Sequence, residues 1–282
     1  MNDASVGFQA EVDAVPAQTY ERFLWSGPEL GDGDVAAAHR AYPALLRYDL
    51  ALDSLASEVA ATNVPADSPP AVWMLYNAGI VVKTQQSTFA IDISHRRGAQ
   101  LAPLLDFAIV THNHGDHQSP GLSEAMDAAG KTVVSNFLSN HGANGGADAP
   151  CGYSRGERSL SIGGISIRCT PSDHNRRLVD FTMACEIDLG GYTIYHTGDS
   201  QNLDKLNPSV QPDLWIVHPR CGLDIAEGVR KFHPRRTAVV HLCEMGHAKW
   251  RWTLADGSQE AGRAAAGTEL VIPLWGDRIP FP

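Results

Sequence analysis

Thr111-His112-Asn113-His114-Gly115-Asp116-His117 places three histidines and an aspartate within six consecutive residues. Directly ahead of it runs Phe107-Ala108-Ile109-Val110, a short apolar segment set off by Pro103 and Asp106. An apolar run of that length between such boundaries reads as a buried strand. The polar cluster then falls on the loop leaving the strand's carboxyl end, where open α/β architectures place their chemistry. Imidazole and carboxylate are the usual ligands of zinc and similar ions. A metal centre therefore explains this density of side chains better than a turn of solvated histidines.

The pattern of strand followed by histidine or aspartate recurs downstream. Residues 155–168 alternate around Gly163-Gly164 and read as a hairpin, leading into Thr170-Pro171-Ser172-Asp173-His174. A second Gly-Gly hairpin spans residues 183–196 and ends in Thr197-Gly198-Asp199-Ser200. Two more buried strands, Leu214-Trp215-Ile216-Val217 and Thr237-Ala238-Val239-Val240, end at His218 and His241.

His112-Asn113-His114-Gly115-Asp116-His117 matches the His-x-His-x-Asp-His signature of the metallo-β-lactamase superfamily. His174, Asp199 and His241 follow in the order in which that family places a later histidine, a bridging aspartate and a final histidine. The resemblance covers residues 72–282. It implies an α/β fold, a four-layer αββα metallo-β-lactamase sandwich, with His112, His114 and His174 on one metal ion. Asp116, His117 and His241 hold the other and Asp199 bridges both. His247 competes with His241 for the last place; His241 is preferred because it directly ends an apolar strand. The hairpins and Tyr195-His196-Thr197-Gly198-Asp199-Ser200 resemble the branch of metal-dependent hydrolases that includes ascorbate-6-phosphate lactonase. The phospholipase D that cleaves N-acyl-phosphatidylethanolamine is a related branch. Cys243-Glu244-Met245-Gly246-His247 departs from the aromatic, threonine-containing segment that often follows the last ligand.

Two cations about 3.5 to 4 Å apart can share a water and lower its pKa towards neutrality. The expected reaction is attack of that hydroxide on an ester, lactone or cyclic amide of a small molecule, with Asp116 orienting it. A phosphodiesterase acting on a nucleotide or phospholipid head group is the alternative, and a non-catalytic metal-dependent binding protein is the alternative of another class. The nitrogen and oxygen ligands suit zinc, and also manganese or iron. His218 and Arg220 together are candidates to bind an anionic substrate group or to act as acid to the leaving group. Asp92 reads as a turn residue or a partner of a ligand, and His196, inside a strand, as a core residue or such a partner. Trp250 and Trp252 read as a pocket wall or as packing, and His141 and Cys151 as incidental loop residues.

The chain of 282 residues has a formal charge of −10, which argues against binding long nucleic acid by bulk electrostatics. Five cysteines without a Cys-x-x-Cys pair fit a reducing cytoplasm, and no signal peptide or membrane span is expected. Residues 1–70 read as a helical extension ending in the link Val64-Pro65-Ala66-Asp67-Ser68-Pro69-Pro70, and residues 71–282 as the hydrolase domain. The extension packs on the domain; it could also shape the site entrance or a dimer contact. Helices are expected over residues 35–61, with Pro43 near a helix start or between two short helices, and over residues 95–105, 122–130 and 259–266, with a last strand over 268–275.

Overall fold

The structure is a computed structural model and describes residues 3–25, 30–119, 121–137, 157–219, 223–247, 251–264 and 266–282. The apolar runs form two sheets. In the first, β1 (Ala71–Met74), β2 (Ile80–Lys83) and β3 (Thr88–Ile91) pair antiparallel, and β4 (Phe107–Val110) and β5 (Thr132–Ser135) continue in parallel. The second begins with antiparallel β6 (Arg158–Ile162), β7 (Ile165–Ser172), β8 (Thr182–Asp188) and β9 (Thr193–His196). It continues in parallel through β10 (Leu214–Val217), β11 (Arg236–Val239) and β12 (Glu269–Val271). The expected last strand is shorter than the sequence suggested, and the chain then returns to the first sheet as β13 (Arg278–Ile279), beside β1.

The inner strands, such as β1, β3, β4 and β10, are buried at every position because both of their faces are covered. Val72, Met74, Val82 and Phe89 of the first sheet meet Ile167, Cys185, Ile194 and Ile216 of the second in one buried layer between the sheets. The intervening residues, Trp73 and Val81 on one sheet and Trp215 and Val239 on the other, point outward and join a second cluster with the helices. α5 (Leu122–Ala128) lies against β4 and β5, while α6 (Ile225–Phe232) packs on Trp215 and α7 (Leu254–Ala264) against α6 and β12. The four-layer αββα arrangement is therefore present.

The extension comprises α1 (Asp3–Asp13), α2 (Ala17–Trp25), α3 (Asp32–Ala41) and α4 (Pro43–Ala61). Pro43 occupies the first turn of α4, where its missing N–H costs nothing, and so separates two helices within the expected residues 35–61. Tyr20, Leu45, Tyr48, Leu52 and Leu55 belong to the same buried cluster as Trp73 and Tyr76, so the boundary near residue 70 divides no core. Residues 95–105 form a 3-10 helix, Gly98–Leu104, and not an α-helix; Pro103 inside it removes a donor and disfavours the helical conformation of the residue before it. Residues 140–150, with His141, lie outside the described residues, as does Cys151. Among the described residues no helix is long and apolar enough to cross a membrane.

Candidate metal centre

Each residue of the centre sits just past a strand, on loops that the two sheets present to one another. His112, His114, Asp116 and His117 follow β4 in the first sheet; His174, Asp199, His218 and His241 follow β7, β9, β10 and β11 in the second. The metal-ligating atoms of His112, His114, His174 and Asp199 lie within 4.8 Å of one another. Those of Asp116, His117 and His241 do the same. The two sets meet at Asp199. Its Oδ2 is 3.3 Å from His174 Nε2 and 3.7 Å from His112 Nε2, while its Oδ1 is 3.1 Å from His117 Nε2 and 3.9 Å from His241 Nε2.

Hydrogen bonds behind the rings decide which atoms face inward. Asp92 accepts from the Thr111 amide at 2.7 Å and from the Thr111 hydroxyl at 2.7 Å. The hydroxyl, having donated its proton, accepts from His112 Nδ1 at 3.1 Å. Asp92 also accepts from His117 Nδ1 at 2.9 Å. With Nδ1 carrying the proton in both rings, Nε2 presents a lone pair to the site. His112 Nε2 is buried and makes no hydrogen bond among the described residues, and His117 Nε2 stands 3.3 Å from His241 Nε2. Inward lone pairs beside two carboxylates form a donor set that a divalent cation fits, since buried groups of this kind are otherwise costly to leave unpaired.

Burial pushes the His112 imidazole well below its ordinary pKa and, with help from His174, holds His114 down at about 4. For Asp199 and Asp116, burial favours the neutral acid, but the neighbouring histidines, His117 first, outweigh it and hold both well below the usual range. Burial also opposes charge on His117; Asp199, Asp116 and Asp92 together reverse this and raise it well above its ordinary value. Ionised carboxylates and neutral imidazoles are the forms that bind metal, so a cation here would take the place of the proton that the three carboxylates favour on His117.

The backbone is shaped for these positions. His241 has φ +64° and Asp92 φ +50°, left-handed values rare outside glycine and more frequent at functional sites. Gly198, at φ +50°, lets Asp199 approach the neighbouring strand, because a Cβ there would lie 2.6 Å from Thr182 Oγ1 and 3.0 Å from Met183 O.

Of the residues expected to meet substrate, Arg220 lies outside the described residues. His218 is buried, donates Nδ1–H to Asp199 Oδ1 at 2.6 Å, and stacks on His241 at 3.7 Å between ring centroids. Its contacts are thus with the ligand set. His196 is a buried strand residue whose Nδ1 accepts from the Gly198 amide at 3.1 Å. Trp252 is half-buried against the core, and Trp250 lies outside the described residues. Three contributors had no signal of their own in the sequence. Asn77 donates to Asp116 Oδ2 at 3.1 Å and reaches His241 Nε2 at 2.9 Å. Phe181 lies 5.0 Å from the His114 ring and 5.9 Å from that of His174, between centroids. Trp25 of α2 packs on the signature loop itself: a Cβ on Gly115 would lie 2.8 Å from its indole. The extension therefore reaches the rim of the centre.

The fold is that of the metallo-β-lactamases, with metal-dependent hydrolases among its solved examples. The YhfI protein of Bacillus subtilis, described as a metallo-β-lactamase fold protein, superposes with a TM-score of 0.56 at 16% identity over 76% of this chain and 100% of its own. A possible metal-dependent hydrolase from Veillonella parvula gives 0.56 at 16% identity over 74% of this chain and 98% of that one. CmlA from Streptomyces venezuelae, a diiron β-hydroxylase, gives 0.54 at 13% identity over 76% of this chain and 55% of its own. By sequence, the chain matches no family model and no curated protein.

Proposed function

We propose that the chain is a dinuclear metal-dependent hydrolase that cleaves an ester, lactone or cyclic amide bond in a small molecule. His112, His114 and His174 hold one divalent ion, Asp116, His117 and His241 hold the other, and Asp199 is shared. The observation that carries this reading is the division of Asp199, whose Oδ2 is turned to His174 and His112 and whose Oδ1 is turned to His117. When bound, a pair of such ions supplies a water of lowered pKa and stabilises negative charge developing on the substrate.

The protein's own groups then do the rest. Asp116, fixed by Asn77, accepts a hydrogen bond from the attacking water and orients it. Asp92 holds the His117 ring and, through Thr111, the His112 ring, so the inward nitrogens need not reorganise. His218 fixes Asp199 through its Nδ1–H. The Phe181 ring beside His112, His114 and His174 favours a substrate with an uncharged face.

Elemental analysis after reconstitution with zinc, manganese or iron tests the metal count, with two ions per chain expected. The hydroxylase of similar fold, a diiron protein, is the reason for including iron. The loaded protein is then presented with esters, lactones and phosphodiesters. Stoichiometric metal with turnover of carbonyl substrates is the expected result. No bound metal under any loading overturns the reading, and turnover of phosphodiesters alone replaces it with the phosphodiesterase alternative.

A further inference from the structure

The loop between β7 and β8 carries two groups of the centre, and each sits directly after an aspartate: His174 follows Asp173, and Phe181 follows Asp180. His174 Nε2 lies 3.3 Å from Asp199 Oδ2, and the Phe181 ring 5.0 Å from that of His114. Lys205 closes this loop at its base. Its Nζ donates to Asp173 Oδ1 at 2.7 Å and to Asp180 Oδ1 at 2.6 Å, and the Asp180 amide donates to Asp173 Oδ1 at 3.0 Å. One ammonium thus clasps two carboxylates seven positions apart.

The turn within the loop forms without Lys205. The His174 amide donates to Leu178 O at 3.0 Å, and Asn175 Oδ1 accepts from the amides of Arg177 at 2.9 Å and Leu178 at 3.0 Å. Such a turn gives the loop its shape but not its place on the protein. The place is set by the segment after β9, which Asp199 heads and in which Lys205 ends a 3-10 turn, Leu203–Lys205. From that segment the Gln201 amide donates to Asp173 O at 2.7 Å and Asn202 Nδ2 to Asp173 Oδ2 at 3.0 Å. Asp180, at φ +52°, turns the chain into β8, and Asn136 Nδ2 donates to Phe181 O at 3.0 Å from the loop after β5. The side chains of Lys205 and Asp180 are 33% and 35% exposed, so their pairing adds little to the stability of the whole fold. Its local effect is larger. Two carboxylates this close repel one another unless a cation stands between them, and the repulsion acts on the residues next to His174 and Phe181.

We infer that Lys205 is a positioning residue of the centre: by clasping Asp173 and Asp180 it sets His174, the proposed ligand, and Phe181, the apolar wall, in fixed relation to Asp199 and to each other. The inference rests on the hydrolase reading. Without the ammonium the two aspartates separate, His174 draws away from Asp199, and Phe181 draws away from the His114 ring. One charge outside the ligand set then governs both the grip on an ion at His174 and the fit of the substrate's uncharged face.

The test uses the full chain, zinc and 4-nitrophenyl butyrate. Lys205→Met keeps the length of the side chain and removes its charge, whereas Lys205→Arg keeps a charge that can bridge both carboxylates. Zinc affinity, measured by competition with a chelating dye, needs no turnover. In Lys205→Met one of the two zinc ions is expected to bind about tenfold more weakly. At saturating zinc the KM for the ester is expected to rise about tenfold, with kcat changed by less than about threefold. Lys205→Arg is expected to restore both quantities. Asp180→Asn added to Lys205→Met removes the repulsion and is expected to recover part of the lost zinc affinity, since asparagine tolerates the left-handed backbone at this position. Unchanged zinc affinity and KM in Lys205→Met, equal losses in the Met and Arg variants, or a double variant no better than Lys205→Met overturn the inference and leave the hydrolase reading standing. An unaltered protein that binds zinc but turns over none of the esters and lactones offered overturns the hydrolase reading and the substrate half of the inference; weakened zinc binding in Lys205→Met then upholds the half that concerns His174. No zinc bound by the unaltered protein overturns both.

Discussion

In the proposed reaction Asp116 has two duties that a single substitution can separate. As a carboxylate it would offer an anionic ligand, and as a hydrogen-bond acceptor it would aim the water. Asp116→Asn keeps the size and removes the charge. Turnover is expected to fall by on the order of a hundredfold even at full metal occupancy, measured in the same sample. Near-normal turnover at full occupancy would leave Asp116 as a ligand alone. The residues expected as ligands were readable in the sequence because each follows an apolar strand directly, as Asp116 and His117 follow Phe107-Ala108-Ile109-Val110. The residues that hold them were harder to read. Asn77 occupies a tight reversal between β1 and β2 and looks like any turn asparagine. Its side chain acts on Asp116 and His241, 39 and 164 positions away, and no local pattern encodes that.

Among the elements, the junction of α4 with the loop after β3 explains how the extension is fastened. His95 is buried, stacks on Tyr48 at 4.0 Å between centroids, and places Nε2 3.0 Å from Tyr48 O. The same junction buries Asp49 against Arg96, Arg97 and His39. Burial holds the His95 imidazole down at about 3, against the opposing pull of Asp49. In the unfolded chain the ring titrates near about 6.5. Between these values the unfolded state binds the extra proton, so stability is complete above about pH 6.5 and is lost as pH falls towards about 3. Urea unfolding between pH 7.5 and 5 should show this decline. His95→Phe keeps the stacked ring, removes the titration and should give a shallower pH dependence, at lower stability near neutrality because the bond to Tyr48 is gone. An unchanged slope would place the acid sensitivity elsewhere. Pro43 announced the start of α4. The 3-10 turn at Gly98–Leu104 depends in part on Pro103, a local signal, and in part on the close packing of Gly98 against Ser119, which no local pattern encodes.

For the whole molecule, the two sheets were legible as alternating runs and Gly-Gly turns, and the packing of the extension on the domain was expected, but the residues that make that contact were not. A proline-rich link reads as a boundary, yet Tyr48 and Tyr76 meet edge-to-face at 5.1 Å across it, and Trp73 donates to Glu58 Oε2 at 2.9 Å. Removing residues 1–62 would expose a large aromatic and aliphatic face of the first sheet. The shortened chain is expected to aggregate or to bind a hydrophobic dye strongly; a soluble, cooperatively unfolding product would show that the extension is an appendage. The centre has a bearing on the cell as well as on chemistry. Its side chains come from loops of both sheets, with Asp199 of the second facing His112 and His117 of the first. Ions held there would act as removable rivets between the halves of the molecule and favour the folded state by mass action. Chains made while metal is scarce would then open more often and be degraded sooner, so the abundance of the protein would follow the supply of its ions.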